Sequence, residues 1–239
     1  MPAQGNPAGS VSKTLAPEVA TFIERALPGC RYETMRLLAE AAHIWSVGTE
    51  DRIFRQGEPL PLTLVLRGYG AFRRTTVDGQ QFTIGIASPG DLFGFGSIAS
   101  AHSSVDLVAL TDCDVVVWGG TQVRGLAAAD SAFALLVIEQ MAELLNDITE
   151  KMDGFLHQNS RRRVLRVLAR HRDLFFATPV LLSRAHLPSL VGISREMTGR
   201  VLRQLELEGM LAREGRAGLR LLRPDQLDAD AAGPSRGAA

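Results

Sequence analysis

Hydrophobic positions along this chain change their spacing three times, and each change marks a new kind of element. Over residues 17–42 they recur at helical intervals on either side of "LPG" at 27–29, which predicts short amphipathic helices. From Ser46 to about Trp118, short β-branched runs ("TLVLRG", "QFTIGIA", "DVVVW") alternate with turn signals ("QGEP", "RGYG", "VDGQ", "SPGD"). Strands of this length and spacing predict an antiparallel sandwich or barrel. Within it, "TTVDGQQFTI" predicts a hairpin, because Asp-Gly suits a type I′ turn.

After Gly119-Gly120 the pattern turns helical and stays so to about residue 158. Val137, Met141, Leu144, Ile148, Met152 and Phe155 follow steps of 4, 3, 4, 4 and 3, close to a heptad seam. Such a seam is too long for a small β-domain to cover, so a second copy of the same helix, in a homodimer, is its expected partner. At "HQNS", Asn159 or Ser160 can cap a new helix through "RRRVLRVLARHRD". An extended "VLLS" follows, then a short helix from Arg184 to about Leu190 and a tight turn at Val191-Gly192-Ile193. A further helix opens there with Ser194 as its N-cap. Its apolar stripe reads Met197, Val201, Leu205. "GMLAREGRAGLRLL" then reads as two short strands around a Gly-rich turn. Helix, tight turn, helix, hairpin is the order of a winged helix-turn-helix.

The expected organisation is therefore a disordered lead (1–16), a β-domain with flanking helices (17–120), a dimerisation helix (121–158), a winged helix-turn-helix (159–223) and a disordered tail (224–239). The lead lacks the basic start and apolar stretch of a signal peptide, and no run of 18 apolar residues exists to span a membrane. Two distant cysteines, Cys30 and Cys113, suggest neither a zinc site nor an iron–sulfur cluster. A cytoplasmic protein without a metal is the expectation. Asp91, Asp106, Asp112 and Asp114 fall near turns with no nucleophile–base constellation beside them, so an enzyme is not expected.

Charge sharpens the picture. The formal net charge is zero, but residues 1–160 hold 11 Lys/Arg against 18 Asp/Glu, a net of −7, and residues 161–223 hold 14 Arg against 5 acids, a net of +9. A basic block on an acidic body points to a polyanion partner at that end. On the helix after Ser194, the residues Arg195, Glu196 and Arg200 lie away from the apolar stripe. The major groove offers guanine O6 and N7 to a bidentate Arg and cytosine N4 to a Glu. The trio is thus a candidate base-reading set for double-stranded DNA. Ser183, Arg184, Ser194 and Arg203 are candidate phosphate contacts that fix register. Arginines 161–163 read as steering charge or as a plain exposed helix start.

These segments resemble the cyclic-AMP receptor protein/FNR family of bacterial transcription regulators. The likeness runs from about residue 30 to 223, through "QGEP", "RGYG", "SPGDLFGFGS" and, most specifically, "VGISREMTGRVLRQLE". It implies an α+β chain: an antiparallel β-roll like the cyclic-nucleotide-binding jelly roll, a long dimerisation helix and a C-terminal winged helix-turn-helix. It also implies a homodimer on a palindromic site, with RNA polymerase as a partner. Arg195, Glu196 and Arg200 match the trio of the cyclic-AMP receptor branch, which reads TGTGA/TCACA-like half-sites. Met197 stands where the family often has a threonine, and Ala185 where it often has a polar residue.

The nucleotide pocket departs further. The family's Gly-Glu-x-Leu reads "GFGS" here, placing Phe95 where the ribose-binding Glu would be, and "AHSSV" leaves Ser103 or Ser104 in place of the phosphate-binding Arg. No Lys or Arg occurs from Thr75 to Val123, and an unpaired buried phosphate is costly. Cyclic AMP is therefore not the expected ligand, unless Arg73, Arg74 or Arg124 supplies the cation. Ile84, Ile86, Phe93, Phe95 and Ile98, with Ile148 and Thr149 of the long helix, outline an apolar effector pocket. Three readings stay open: an apolar small molecule, a haem ligated by His102, or no ligand. His43 reads as structural and Cys113 as core. The competing function is an effector-sensing module that regulates a partner protein.

Overall fold

The computed structural model describes residues 17–157 and 159–232, excluding the side chains of residues 17–18, 147, 150–157 and 232. The expected disordered lead lies outside the described residues. The chain divides into two compact units, Met1–Leu145 and Asn146–Ala239.

The first unit opens with α1 (Pro17–Ala26) and α2 (Tyr32–Glu40). Eight strands follow: β1 (His43–Val47), β2 (Arg52–Phe54), β3 (Leu62–Arg67), β4 (Gly70–Thr75), β5 (Gln81–Ala87), β6 (Leu92–Phe93), β7 (Asp106–Ala109) and β8 (Cys113–Trp118). They form two four-stranded antiparallel sheets in the orders β1-β8-β3-β6 and β2-β7-β4-β5. The "VVVW" run of β8 is apolar at every position because both its faces are covered. Cys113, Val115 and Val117 point between the sheets, toward Ile53, Phe54, Val65 and Leu107. Val116 and Trp118 point the other way, onto Val19, Ile23 and Leu38 of the helices and Leu27 just after α1. The Trp118 indole N–H also donates to the Leu38 carbonyl at 2.7 Å, tying α2 to that face.

Four local expectations need correction. The β-region begins at His43, which is exposed, rather than at Ser46. The Asp-Gly hairpin closes with Thr76 and Gln80 bonded at 2.9 Å, leaving a three-residue loop whose positive φ (76°) falls on Gly79 alone. It is therefore not a two-residue type I′ turn, which needs positive φ at both centres. The single helix expected over 121–158 is two, α3 (Gly120–Ala129) and α4 (Ser131–His157). Asp130 breaks them: its backbone is extended, and its carboxylate accepts the Ala132 amide at 2.9 Å and the Thr34 hydroxyl. Finally, Val137 is 3% exposed in the helix–sheet core, so the start of the expected seam is spent inside the unit.

The second unit contains α5 (Ser160–Arg170), α6 (Arg172–Phe175), a 3-10 turn at Arg184–His186, α7 (Leu187–Val191), α8 (Arg195–Leu207), the hairpin β9 (Leu211–Glu214) and β10 (Gly218–Leu221), and α9 (Pro224–Ala232). Its core is built from Val164, Leu165, Leu168, Leu174, Phe175, Leu187, Val201, Leu202, Leu205, Leu211 and Leu219, all buried. The tail expected to be disordered from 224 is helical through Ala232. Leu227 is fully buried and Ala231 is 7% exposed, and the Arg172 side chain is bonded to Asp228. Residues 233–239 lie outside the described residues.

Candidate nucleic-acid interface

The tight turn between α7 and α8 is made by Gly192, whose φ of 69° is the left-handed conformation that ends a helix. Ser194 then opens α8. Its hydroxyl accepts the Met197 amide at 3.1 Å, which leaves its own proton for a donor role. The stripe that seats α8 runs through Thr198, Val201, Leu202 and Leu205, the i, i+3, i+4, i+7 pattern of a helix face. Met197, assigned to that stripe from the sequence, is only half-buried; a strict i+4 step drifts off the face. Thr198 joins the stripe because its hydroxyl donates to the Ser194 carbonyl at 3.0 Å and is thereby satisfied.

The opposite face carries Glu196, Arg200 and Arg203, and Arg195 opens the helix; all four are exposed. Glu196 and Arg200, one turn apart, are joined at 2.7 Å, with side chains 81% and 68% exposed. A solvated pair of this kind is worth about 0.2–1 kcal/mol, so exchanging it for base edges costs little. Arg195 and Arg203 pair with no carboxylate among the described residues.

The other phosphate candidates are partly engaged inside the unit. The Ser183 hydroxyl accepts the Ala185 amide at 3.3 Å as an N-cap. Arg184 is tied to the wing twice: its backbone amide donates to Ala217 O at 3.1 Å and its guanidinium to Arg216 O at 2.9 Å. Arginines 161 and 163 are not steering charge. Arg161 forks onto Glu208, with contacts of 2.7 and 3.0 Å, and reaches Asp230 at 3.3 Å. Arg163 donates to the Val191 and Gly192 carbonyls, the second at 2.8 Å, and burial pulls its pKa below the ordinary arginine value. Sequence reading missed both roles, since an Arg-Arg-Arg run gives no sign of which guanidinium finds a carbonyl.

In the first unit the effector candidates are dispersed. Phe95 is 7% exposed and packs in the helix–sheet core, whereas Phe93 packs between the sheets, edge-on to Phe72 at 5.0 Å. Gly94 separates them: a Cβ there would sit 2.0 Å from Pro61 O, and its φ of 91° turns the chain between the two clusters. Ile84 is 52% exposed and Ile86 half-buried on β5. Ser103 is buried with its hydroxyl donating to Val105 O at 2.6 Å, while Ser104 and His102 are exposed. Of the cations, Arg73 pairs with Glu50 at 3.3 Å and Arg124 donates to Ile98 O at 2.8 Å.

Along α4 the exposed apolar residues are Leu135, Ile138, Met141, Leu144, Leu145 and Ile148. Thr149 is exposed as well. Ile138, Met141, Leu145 and Ile148 step by 3, 4 and 3, a heptad register that the sequence reading missed by starting at Val137. The side chains of Met152 and Phe155, which continue it, lie outside the described residues. No helix among the described residues is long and apolar enough to cross a membrane.

A two-sheet β-roll with a 3-10 turn (Phe95–Ala99) after β6, followed by a long helix and a winged helix-turn-helix, is the architecture of a DNA-binding transcription regulator. Residues 44–130 match the cyclic nucleotide-binding domain family. The chain is 28% identical over 153 residues to the cAMP-activated global transcriptional regulator Vfr of Pseudomonas aeruginosa, covering 58% of this chain and 70% of Vfr. It is 26% identical over 214 residues to the CRP-like protein Clp of Xanthomonas euvesicatoria, covering 83% and 93%. The structure of FixK2 from Bradyrhizobium japonicum superposes with a TM-score of 0.65 at 22% identity, over 81% of this chain and 99% of that one. These matches support a transcription regulator of the cyclic-AMP receptor protein/FNR type, to which the chain is similar over most of its length.

Proposed function

We propose that this regulator acts in the cytoplasm as a homodimer on a palindromic operator, with TGTGA/TCACA-like half-sites read by Arg195, Glu196 and Arg200. The observation that carries this reading is the exposed face of α8, where two arginines and a carboxylate stand free of the core on a helix whose start is set by Gly192 and Ser194. Dimerisation runs along Ile138, Met141, Leu145 and Ile148, an apolar heptad stripe left exposed in one copy. Two-fold symmetry then sets the half-sites about 34–36 Å apart, one helical turn, or a multiple of it. RNA polymerase is the partner that reads the bound dimer, and the chain works as a regulator, not as an enzyme.

Cyclic AMP is not the effector in this reading, although the similar Vfr is named as cAMP-activated. Phe95 fills core where a ribose-binding carboxylate would be needed, the Ser103 hydroxyl is committed to Val105 O, and Arg73 and Arg124 are engaged elsewhere. Selection of bound duplexes from a random pool, with and without cell extract, tests the whole proposal. An inverted TGTGA/TCACA-like repeat is the expected product. Recovery of unrelated sequences with no shared half-site overturns the base-reading assignment.

A further inference from the structure

The first turn of α5 brings two guanidiniums to opposite ends of the recognition helix. Arg163 donates to the carbonyls of Val191 and Gly192, the last residue of α7 and the turn residue before α8. Arg161 forks onto Glu208, the residue that closes α8 at its C-terminus, and extends to Asp230 of α9. Asn159, whose side chain accepts the Arg162 amide at 2.9 Å, fixes the start of the turn from which both arginines project. Carbonyls at a helix C-terminus are unsatisfied acceptors, and a cation is favoured there by the helix dipole as well. A bidentate Arg–carboxylate pair adds directional rigidity that a single contact lacks.

From this arrangement we infer that Arg161 and Arg163 form a bracket that sets the orientation of α8, making them positioning residues for base recognition and not DNA contacts. The inference rests on the reading of α8 as the DNA-recognition helix. The bracket holds the turn before the helix and the cap after it, while the base-reading side chains between them stay unencumbered. Loss of the two bonds from the Arg163 guanidinium frees the α7–α8 turn, so Arg195, Glu196 and Arg200 meet the base edges in a spread of poses. Operator affinity then falls, whereas attraction to the phosphate backbone is unchanged, because these two guanidiniums are spent inside the unit. The same run of arginines in a phosphate-contacting role gives the reverse: uniform weakening on all sequences and a shallower salt dependence.

The test uses the full-length protein and two variants. Arg163→Met removes the charge and the donors, and Arg163→Lys keeps the charge but shortens the reach to the two carbonyls; the second covers the case in which the first does not fold. Affinities for the selected operator and for random duplex are measured across a salt series, and hydrogen exchange is followed at residues 191–197. The expected result for Arg163→Met is a loss on the order of tenfold in operator-over-random preference, with exchange at the turn faster by a similar factor. The salt slope holds. Arg163→Lys falls between the variant and the parent. A drop in slope of about 0.9 per protomer with unchanged exchange identifies a phosphate contact and overturns the bracket. Unchanged exchange and unchanged preference overturn it equally. Should the parent protein show no operator preference, the DNA reading of α8 fails, and the exchange rates alone decide whether the bracket holds the turn.

Discussion

Arg163 and Arg200 carry the same charge and stand in contrasting surroundings. The first spends its donors on carbonyls inside the winged unit; the second has only the solvated Glu196 to hold it. A side chain held so lightly is available to a guanine, and Arg200→Ala is expected to weaken operator binding by roughly 1–3 kcal/mol while relaxing selectivity at one base pair. Competition between the operator and single-base variants measures both effects; equal losses on operator and random DNA remove Arg200 from the reading set. In the other unit, Asp130 shows how one polar residue governs a boundary. The Thr34 hydroxyl, followed by the Ala132 and Phe133 amides, holds its carboxyl below the usual carboxylate range. A depressed folded-state pKa contributes stability that is full above the unfolded value of about 3.9 and is lost as pH falls through the folded value. Thr34→Val is therefore expected to lower stability at neutral pH, with the gap from the parent narrowing below about pH 4. Urea midpoints at pH 7 and pH 3 check the sign.

Among the elements, α9 and α4 show what patterning reveals and what it conceals. The β-roll strands and the helix-turn-helix were legible because their cues are local: alternating β-branched runs, Gly-Asp turns, a glycine and a serine before an amphipathic helix. The segment "PDQLDADAA" carries one large apolar residue, too few for any periodicity, so its helix was invisible. Its order comes from tertiary partners, the pocket for Leu227 and the arginines that receive Asp228 and Asp230. Leu227→Ala is accordingly expected to destabilise the protein by about 2–5 kcal/mol, read as a shift in the denaturant midpoint; a negligible shift returns α9 to the status of a tail. On α4 the seam expected from Val137 to Phe155 starts on a core residue, and Ile138 and Leu145 join Met141, Leu144 and Ile148 on the exposed side. The same apolar side chain suits a core or a seam, and only the position of Phe133 and Val137 against the sheet separates the two. Leu145→Glu is expected to shift a dimer toward monomer in analytical ultracentrifugation, whereas Val137→Ala is expected to lower stability without changing the association state.

At the scale of the whole molecule, a basic DNA-binding unit follows an acidic β-unit, and the net charges nearly cancel. Long-range attraction to a polyanion thus comes from one part of the chain while the other opposes it. For regulation, an effector moves the equilibrium between competent and incompetent dimers only by its differential affinity for them. A cyclic nucleotide would have to obtain that differential from a β-unit with no Lys or Arg between Thr75 and Val123, with Phe95 in core and the Ser103 hydroxyl already bonded. In the proposed reading, burying its phosphate there would leave a charge without a counter-ion, which carries a large desolvation cost. Operator affinity measured with saturating cyclic AMP is therefore expected to match that without it, at every salt concentration across the titration. A gain of tenfold or more, about 1.4 kcal/mol of coupling, would mean that a cation outside this stretch reaches the phosphate. Arg73→Gln, Arg74→Gln and Arg124→Gln, assayed in the same titration, would then show which one; Arg73 and Arg124 must each leave a present partner, Glu50 or the Ile98 carbonyl, whereas Arg74 is exposed.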